Sequence, residues 1–166
     1  MDHPHFLLVE DNPDDIALLF MALDNLGSPL EVSICHDGVE AMDALNACLA
    51  RGPVGPVDPP RFVLLDINMP KVNGFEVLRR IRALPAFQEL PVVMFSSSAQ
   101  SSDVEQAFLD RASAYVVKPI DFNDYRRVFA SIMARWGCDG EPGVDPLDES
   151  LRRRYFLAPQ GQPGPS

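Results

Sequence analysis

Cysteine is scarce in this chain: three residues, Cys35, Cys48 and Cys138, odd in number and far apart. That spacing offers neither a disulfide framework nor the close pairs of a thiolate metal site, and it fits free thiols in a reducing cytoplasm. Basic charge is scarce as well. Against 24 Asp and Glu stand 14 Lys and Arg, a formal net charge of -10. The deficit argues against nucleic acid, whose phosphates select basic faces, and against an anionic membrane surface. No apolar run approaches the ~20 residues of a membrane span. The opening MDHPHFLLVEDN lacks the basic region and longer apolar stretch of a signal peptide, and no internal repeat is visible. What is present is 166 residues of ordinary hydrophobic content, 46 %, and charge, 23 %. That is enough for one soluble domain with a real core and a tail.

The apolar residues gather in short runs. Phe62, Val63, Leu64 and Leu65 run without alternation into Asp66, within FVLLDINMPKVNG. A continuous run of this length suits a strand buried on both faces of a parallel sheet. Met69-Pro70 ends it, because the residue before a proline is pushed out of helical space. Similar runs are Phe6–Val9, Val92–Phe95 and Ala114–Val117, and Leu30–Cys35 alternates as a further strand. Between them lie helical patterns. Ile16, Leu19, Phe20 and Leu23 follow an Asp11-Asn12-Pro13 start, in which a capping side chain, a first-turn proline and the acids Asp14 and Asp15 suit the positive helix end. Val39, Met42, Leu45 and Leu49 mark a second helix, Gly74 to Ala83 a third, Val104, Ala107 and Phe108 a fourth, and Phe122 to Trp136 a fifth.

Five strands alternating with five helices predict an α/β protein with a parallel sheet, and right-handed crossovers limit it to a doubly wound sandwich. The pattern ends at Trp136. Residues 137–166 form an extension rich in proline and glycine, expected to be mostly extended or disordered, with one short amphipathic helix at 148–156. Its Arg152-Arg153-Arg154 run reads as a solvated face. Arg51 to Arg61, RGPVGPVDPPR, is a long connection for an α/β unit and reads as a tolerated surface insertion or a contact surface.

In a parallel sheet the carboxyl ends of the strands share one edge, where open α/β sheets place their ligands. The first run delivers Glu10 and Asp11 there, the third Asp66, the fourth Ser96 and the fifth Lys118. Carboxylates a few ångströms apart repel by about 4 kcal/mol per close pair at an effective dielectric near 20, so they take up protons or a cation. An all-oxygen cluster suits Mg2+ or Mn2+. Lys118 can hold a phosphoryl oxygen as a point charge, and the Ser96 hydroxyl can hydrogen-bond to another. Singly, each has a plainer reading: Glu10, Asp11 and Lys118 as a salt-bridge cluster, Ser96 as a cap, Asp66 as a turn residue. Jointly they describe a phosphoryl-accepting aspartate.

With LLVEDN, LLDINMPKVNG, PVVMFSS and AYVVKPI in this order and spacing, the chain resembles the bacterial response-regulator receiver domain over roughly Phe6 to Trp136. The resemblance implies a flavodoxin-like, chemotaxis-type sandwich with strand order 2-1-3-4-5. It makes Asp66 the acceptor of a phosphoryl group from a sensor histidine kinase. Asp11 becomes a direct metal ligand, Glu10 one acting largely through water, and the Asn68 main-chain carbonyl completes the set. Lys118 contacts the phosphoryl group, with a cis bond to Pro119. Ser96 is the switch hydroxyl, Tyr115 the aromatic whose inward or outward rotamer reports its move, and Ser97 is small enough to leave access. Two departures stand out: the first acid is glutamate instead of the commoner aspartate, and Arg111 stands where many members have glycine.

The opening VEDNPDDI, the longer connection before the third strand and the C-terminal extension resemble a subgroup of small stand-alone regulators paired with phytochrome-type, light-sensing kinases (bacteriophytochromes). That subgroup implies a homodimer through the fourth helix, fifth strand and fifth helix, to which the tail could contribute, with Phe129 and Trp136 as interface residues or, as readily, plain core residues. No separate substrate is expected to turn over, only self-phosphorylation and autodephosphorylation. A haloacid-dehalogenase-type phosphatase needs a second acid where Asn68 stands. In a flavodoxin-type carrier, Glu10 and Asp11 would repel the cofactor phosphate. A receiver-like module that is never phosphorylated is the alternative, and it typically loses an acid or the lysine.

Overall fold

Each apolar run forms a strand because its residues are buried on both sides of one sheet. A computed structural model describes residues 4–28, 30–50, 58–69, 71–138 and 145–160. The long connection at 51–57, Pro70 and the stretches 139–144 and 161–166 lie outside the described residues. In chain order the elements are β1 (His5–Val9), α1 (Pro13–Leu26), β2 (Glu31–Cys35), α2 (Gly38–Leu49), β3 (Val63–Leu65), α3 (Gly74–Ala83), β4 (Val92–Ser96), α4 (Ser101–Leu109), β5 (Ala114–Val117), α5 (Phe122–Trp136), α6 (Glu149–Tyr155) and β6 (Phe156–Leu157). The sheet runs β2-β1-β3-β4-β5-β6. β1 to β5 are parallel in the expected order, and β6 is antiparallel.

Alternation along the strands sends side chains to two cores. Phe6, Leu8, Leu64, Phe95 and Val116 face α1 and α5, with Phe6 stacked on Phe62 at 4.9 Å between ring centroids. Leu7, Val9, Leu65, Met94 and Tyr115 face α2, α3 and α4. No described helix is long and apolar enough to cross a membrane.

Residues 145–160 of the extension are neither separate nor unstructured. The helix expected at 148–156 is α6, capped by Asp148, whose carboxylate accepts from the Leu151 N–H. It continues into β6, which sequence periodicity could not show because two residues carry no period. Leu147, Tyr155 and Phe156 join the core on the α1/α5 side. Asp145 accepts from the Ser131 hydroxyl at 2.7 Å and pairs with Arg152, and the Tyr155 hydroxyl donates to Asp124 at 2.6 Å. Arg153 and Arg154 are exposed, as a solvated face should be, but Arg152 of the same run is partly buried and donates to the Ser131 hydroxyl at 3.3 Å.

Two expectations need correcting. Phe129 is not an interface residue: it is fully buried, its ring 6.1 Å from that of Phe6. Phe129 sits on the face of α5 that packs against β1, where the Phe6 ring lies. Trp136, on the same helix, is only half-buried. Among the described residues no peptide bond is cis, so Lys118–Pro119 is trans, the form favoured for X–Pro bonds by roughly 0.5–1 kcal/mol.

Arg111, in place of glycine, has φ +68°. A left-handed backbone of that kind costs an ordinary residue roughly 1–2 kcal/mol. Two arginines offset it by exchanging contacts: Arg82 Nε donates to the Arg111 carbonyl at 3.1 Å, and Arg111 Nη2 to the Arg82 carbonyl at 3.3 Å. Arg82 is itself buried and donates further to the carbonyls of Phe87 (2.9 Å) and Leu90 (2.7 Å). It therefore ties α3 to the chain entering β4 and to the turn before β5. Replacing it with leucine leaves these carbonyls without a charged donor. Arg82→Leu is expected to lower stability by about 3 kcal/mol, read as a lower urea midpoint with unchanged slope. A midpoint within error of the native protein would show that the tie contributes nothing.

Candidate functional site

The sheet register places the site. Val9 pairs with Leu65, and Leu65 with Met94, so Glu10 and Asp66 emerge side by side from β1 and β3. Ser96 ends β4 opposite Val117, and Lys118 follows. Backbone bonds extend the ladder past the strands: Asp66 N–H to the Val9 carbonyl at 3.1 Å and Lys118 N–H to the Ser96 carbonyl at 2.8 Å. Asn12 caps α1, accepting from the Asp14 and Asp15 N–H groups. That leaves the Asp11 carboxylate free of capping. After Asp66 the chain turns tightly into α3, with the Gly74 N–H bonded to the Ile67 carbonyl at 2.9 Å. A Cβ at Gly74 would stand 2.2 Å from the Asp66 carbonyl oxygen, so glycine is required for the acceptor's backbone to lie where it does.

Glu10, Asp11 and Asp66 each offer a carboxylate oxygen within 4.8 Å of the others. Lys118 reaches across from β5: its Nζ is 2.7 Å from Glu10 Oε1, 3.0 Å from Asp15 Oδ2 and 3.8 Å from Asp66 Oδ2. Asp66 Oδ1 accepts from the Ile67 N–H at 2.8 Å, which leaves Oδ2 turned toward the lysine. Asn68 stands exposed in the loop two residues on, and Ser97 is exposed.

The Ser96 hydroxyl, fully buried, accepts from the Ser98 N–H at 3.2 Å. Tyr115 lies inward, also fully buried, with its hydroxyl donating to the Ser98 carbonyl at 2.8 Å. Burial raises its phenol above the ordinary value. Ser98 thus connects Ser96 and Tyr115, and its own hydroxyl donates to Asp103 at 2.6 Å.

Two residues of the site carry no role in the sequence reading. Asp15 looks there like a first-turn acid serving only the helix end; its approach to Lys118 depends on how α1 crosses the strand ends. Ser98 belongs to a visible run of hydroxyls, but only the loop geometry singles it out.

The charges are unevenly compensated. Burial, followed by the neighbouring Asp15 and Asp66 carboxylates, pushes the Glu10 carboxyl up to about 9, and Glu10 Oε2 is buried with no hydrogen-bond partner. Burial also opposes the charge on Lys118, but Asp66 foremost, with Glu10 and Asp15, outweighs it and holds the ammonium above its ordinary value. Asp15 is partly buried, which works against ionisation, yet its bonds to Glu10 and Lys118 hold it below the usual carboxylate range. An orphaned carboxylate oxygen beside two further carboxylates suits a hard divalent cation.

Residues 6–129 match the response regulator receiver domain. The chain belongs to that family. FilR2 of Methanothrix harundinacea (strain 6Ac), named as a probable methanogenesis regulatory protein, is 36 % identical over 82 % of this chain and 86 % of its own length. The structure of the phosphorylated cyanobacterial phytochrome response regulator RcpA superposes with a TM-score of 0.73 at 32 % identity, covering 84 % of this chain and 97 % of that one. The Mn2+-bound form of Rcp1, a response regulator of Synechocystis, gives 0.71 at 29 % identity, covering 85 % and 99 %. The acidic cluster of this receiver therefore lies in a fold known to bind a divalent metal.

The raised Glu10 carboxyl makes stability depend on pH. Unfolded, Glu10 loses its proton near its ordinary value of 4.5; folded, it keeps the proton to higher pH. The native state then binds more protons between about 5 and 9, so metal-free stability falls as pH rises through that window, by at most about 1.4 kcal/mol per pH unit. Mg2+ is expected to raise the urea midpoint and flatten this slope by stabilising the ionised carboxylates. A metal-free midpoint that rises across the window would contradict the buried proton.

Proposed function

We propose that Asp66 accepts a phosphoryl group from the phosphohistidine of a sensor histidine kinase and that Ser96 and Tyr115 relay its arrival to the sheet edge. The observation that carries this reading is the convergence of Lys118 on Asp66, Glu10 and Asp15 beside the closed cluster of Glu10, Asp11 and Asp66. Asp66 Oδ2 attacks the phosphorus, the phosphorus–nitrogen bond of the donor breaks, and the donor imidazole leaves as the acyl phosphate forms. Lys118 neutralises charge on the phosphoryl oxygens as the group arrives. Glu10, Asp11, Asp66 and the Asn68 main-chain carbonyl would hold a divalent ion, Mg2+ or Mn2+, which would supply the rest of the positive charge. The Ser96 hydroxyl, whose oxygen accepts from the Ser98 N–H, turns its own proton to a phosphoryl oxygen.

No separate substrate is turned over. With Asn68 two residues after the acceptor, the site lacks the acid that a phosphatase uses on its leaving group. Water releases the phosphoryl group in time, so the chain is a switch and not an enzyme in the usual sense. It acts in the cytoplasm. The likeness to RcpA, a phytochrome response regulator, supports a phytochrome-type kinase as partner. A homodimer through α4, β5 and α5 belongs to the same reading, on a face that here includes the docked β6.

Incubation with acetyl phosphate and Mg2+ is expected to label the native chain with acid-stable, base-labile phosphate. Asp66→Asn should remove the label and Lys118→Ala should slow its appearance by about tenfold or more, in line with the loss of one electrostatic contact to developing charge. Label persisting in Asp66→Asn at the native rate would refute the assigned acceptor.

A further inference from the structure

Tyr115 lies on the strand that β6 covers. Without β6, β5 would be the sheet's outer strand, and nothing in the sheet would lie beside its ring. Instead, Tyr115 pairs with Leu157 and Val116 with Phe156. Residues directly opposite in an antiparallel pair share a face, with Cβ atoms roughly 5 Å apart. Leu157 accordingly packs into the same apolar cluster as Tyr115, on the α4 side. Leu157 thus covers the edge of β5 beside the Tyr115 ring.

The segment is anchored independently of Tyr115. Phe156 and Leu147 are buried against the opposite core, Tyr155 is bonded to Asp124 of α5, and Asp145 to Ser131 of α5. From Leu157 the path to the site is short. The Tyr115 hydroxyl holds the Ser98 carbonyl, and the Ser98 N–H holds the Ser96 hydroxyl at the end of β4.

We propose that residues 145–157 are a clamp coupled positively to the phosphoryl site: seated, the clamp keeps Tyr115 inward and the Ser96 loop in place, and occupation of Asp66 tightens the clamp in return. The proposal rests on Asp66 being the phosphoacceptor. With the ring held, Ser98 and Ser96 are already ordered when a phosphoryl group arrives, so less ordering is left for that step. With the clamp released, the ring and the loop behind it must be fixed first. Linkage requires the two effects to be equal: whatever factor the clamp adds to binding at Asp66, binding adds to the clamp. The clamp suits this role because a terminal segment with a two-residue strand opens at lower cost than the sheet it covers.

The test uses beryllium fluoride with Mg2+ as a tetrahedral phosphoryl mimic, titrated by calorimetry into the full chain. Leu157 lies at the rim, so Leu157→Asp releases the clamp without hollowing the core. Tyr155→Phe loosens it from the α5 side without touching Tyr115. Leu157→Asp is expected to weaken binding by about fivefold or more, the range of ordinary coupling between sites, and Tyr155→Phe by less in the same direction. In the native chain, amide exchange across residues 155–157 is expected to slow with the mimic bound by the factor lost in Leu157→Asp. Unchanged or tighter binding by Leu157→Asp, with exchange showing the segment released, would overturn the clamp. A native chain that binds no mimic at all is a different result, and it would remove the phosphoacceptor reading beneath the clamp.

Discussion

One buried ammonium makes the acidic edge of this sheet tolerable. Four carboxylates, on Glu10, Asp11, Asp15 and Asp66, crowd the ends of β1 and β3 and the start of α1, and Lys118 touches three of them. A single positive charge cannot balance four negative ones, two of them, on Glu10 and Asp66, buried, and each close pair repels by about 4 kcal/mol even at a generous dielectric. The surplus is relieved by the proton that burial and its neighbours keep on Glu10, and what remains is an oxygen without a partner. A site in that condition responds strongly to a cation and to a phosphoryl group. Each alters the one term, local charge, that is out of balance.

The scaffold around this charge is stiff where it must be. Asp66 leaves a strand buried on both faces, and Gly74 lets α3 begin hard against its carbonyl. The acceptor therefore has little freedom to move away from Lys118. Movement is left to the β4–α4 loop. There the side chains of Ser96 and Tyr115 are each tied to the Ser98 backbone by one hydrogen bond, worth about 1 kcal/mol net. A newly arrived dianion can draw the Ser96 hydroxyl proton toward itself and the loop with it, whereas it could not displace the packed strand behind it.

Much of this was legible in the residues themselves. Unbroken apolar runs cannot be half-exposed strands, so FVLL, VVMF and AYVV imply a parallel sheet, and a parallel sheet implies that the acids and the lysine after those runs share an edge. Once the runs are read, Glu10, Asp11, Asp66 and Lys118 follow. What escaped reading depends on tertiary geometry. Asp15 looks like any first-turn acid until α1 is laid across the strand ends. Arg82 looks like the exposed face of a short amphipathic helix, although it is buried among carbonyls. Phe129 and Trp136 share a helix, and spacing alone does not say which of them turns inward. β6 is invisible because pairing of two residues is decided by the strand it meets, not by its own pattern.

The length of β6 follows from the work of the edge it covers. A bare β5 would offer unpaired backbone groups to any passing strand, the common hazard of sheet edges. A long sixth strand would remove that hazard but would also hold β5 and Tyr115 fixed, whatever happened at Asp66. Two paired residues, with Phe156 inward on one face and Leu157 beside Tyr115 on the other, lie between these limits. They close the edge, yet as a two-residue terminal segment they open at lower cost than the strands they cover. A short strand backed by α6 protects the edge without taking it out of the switch.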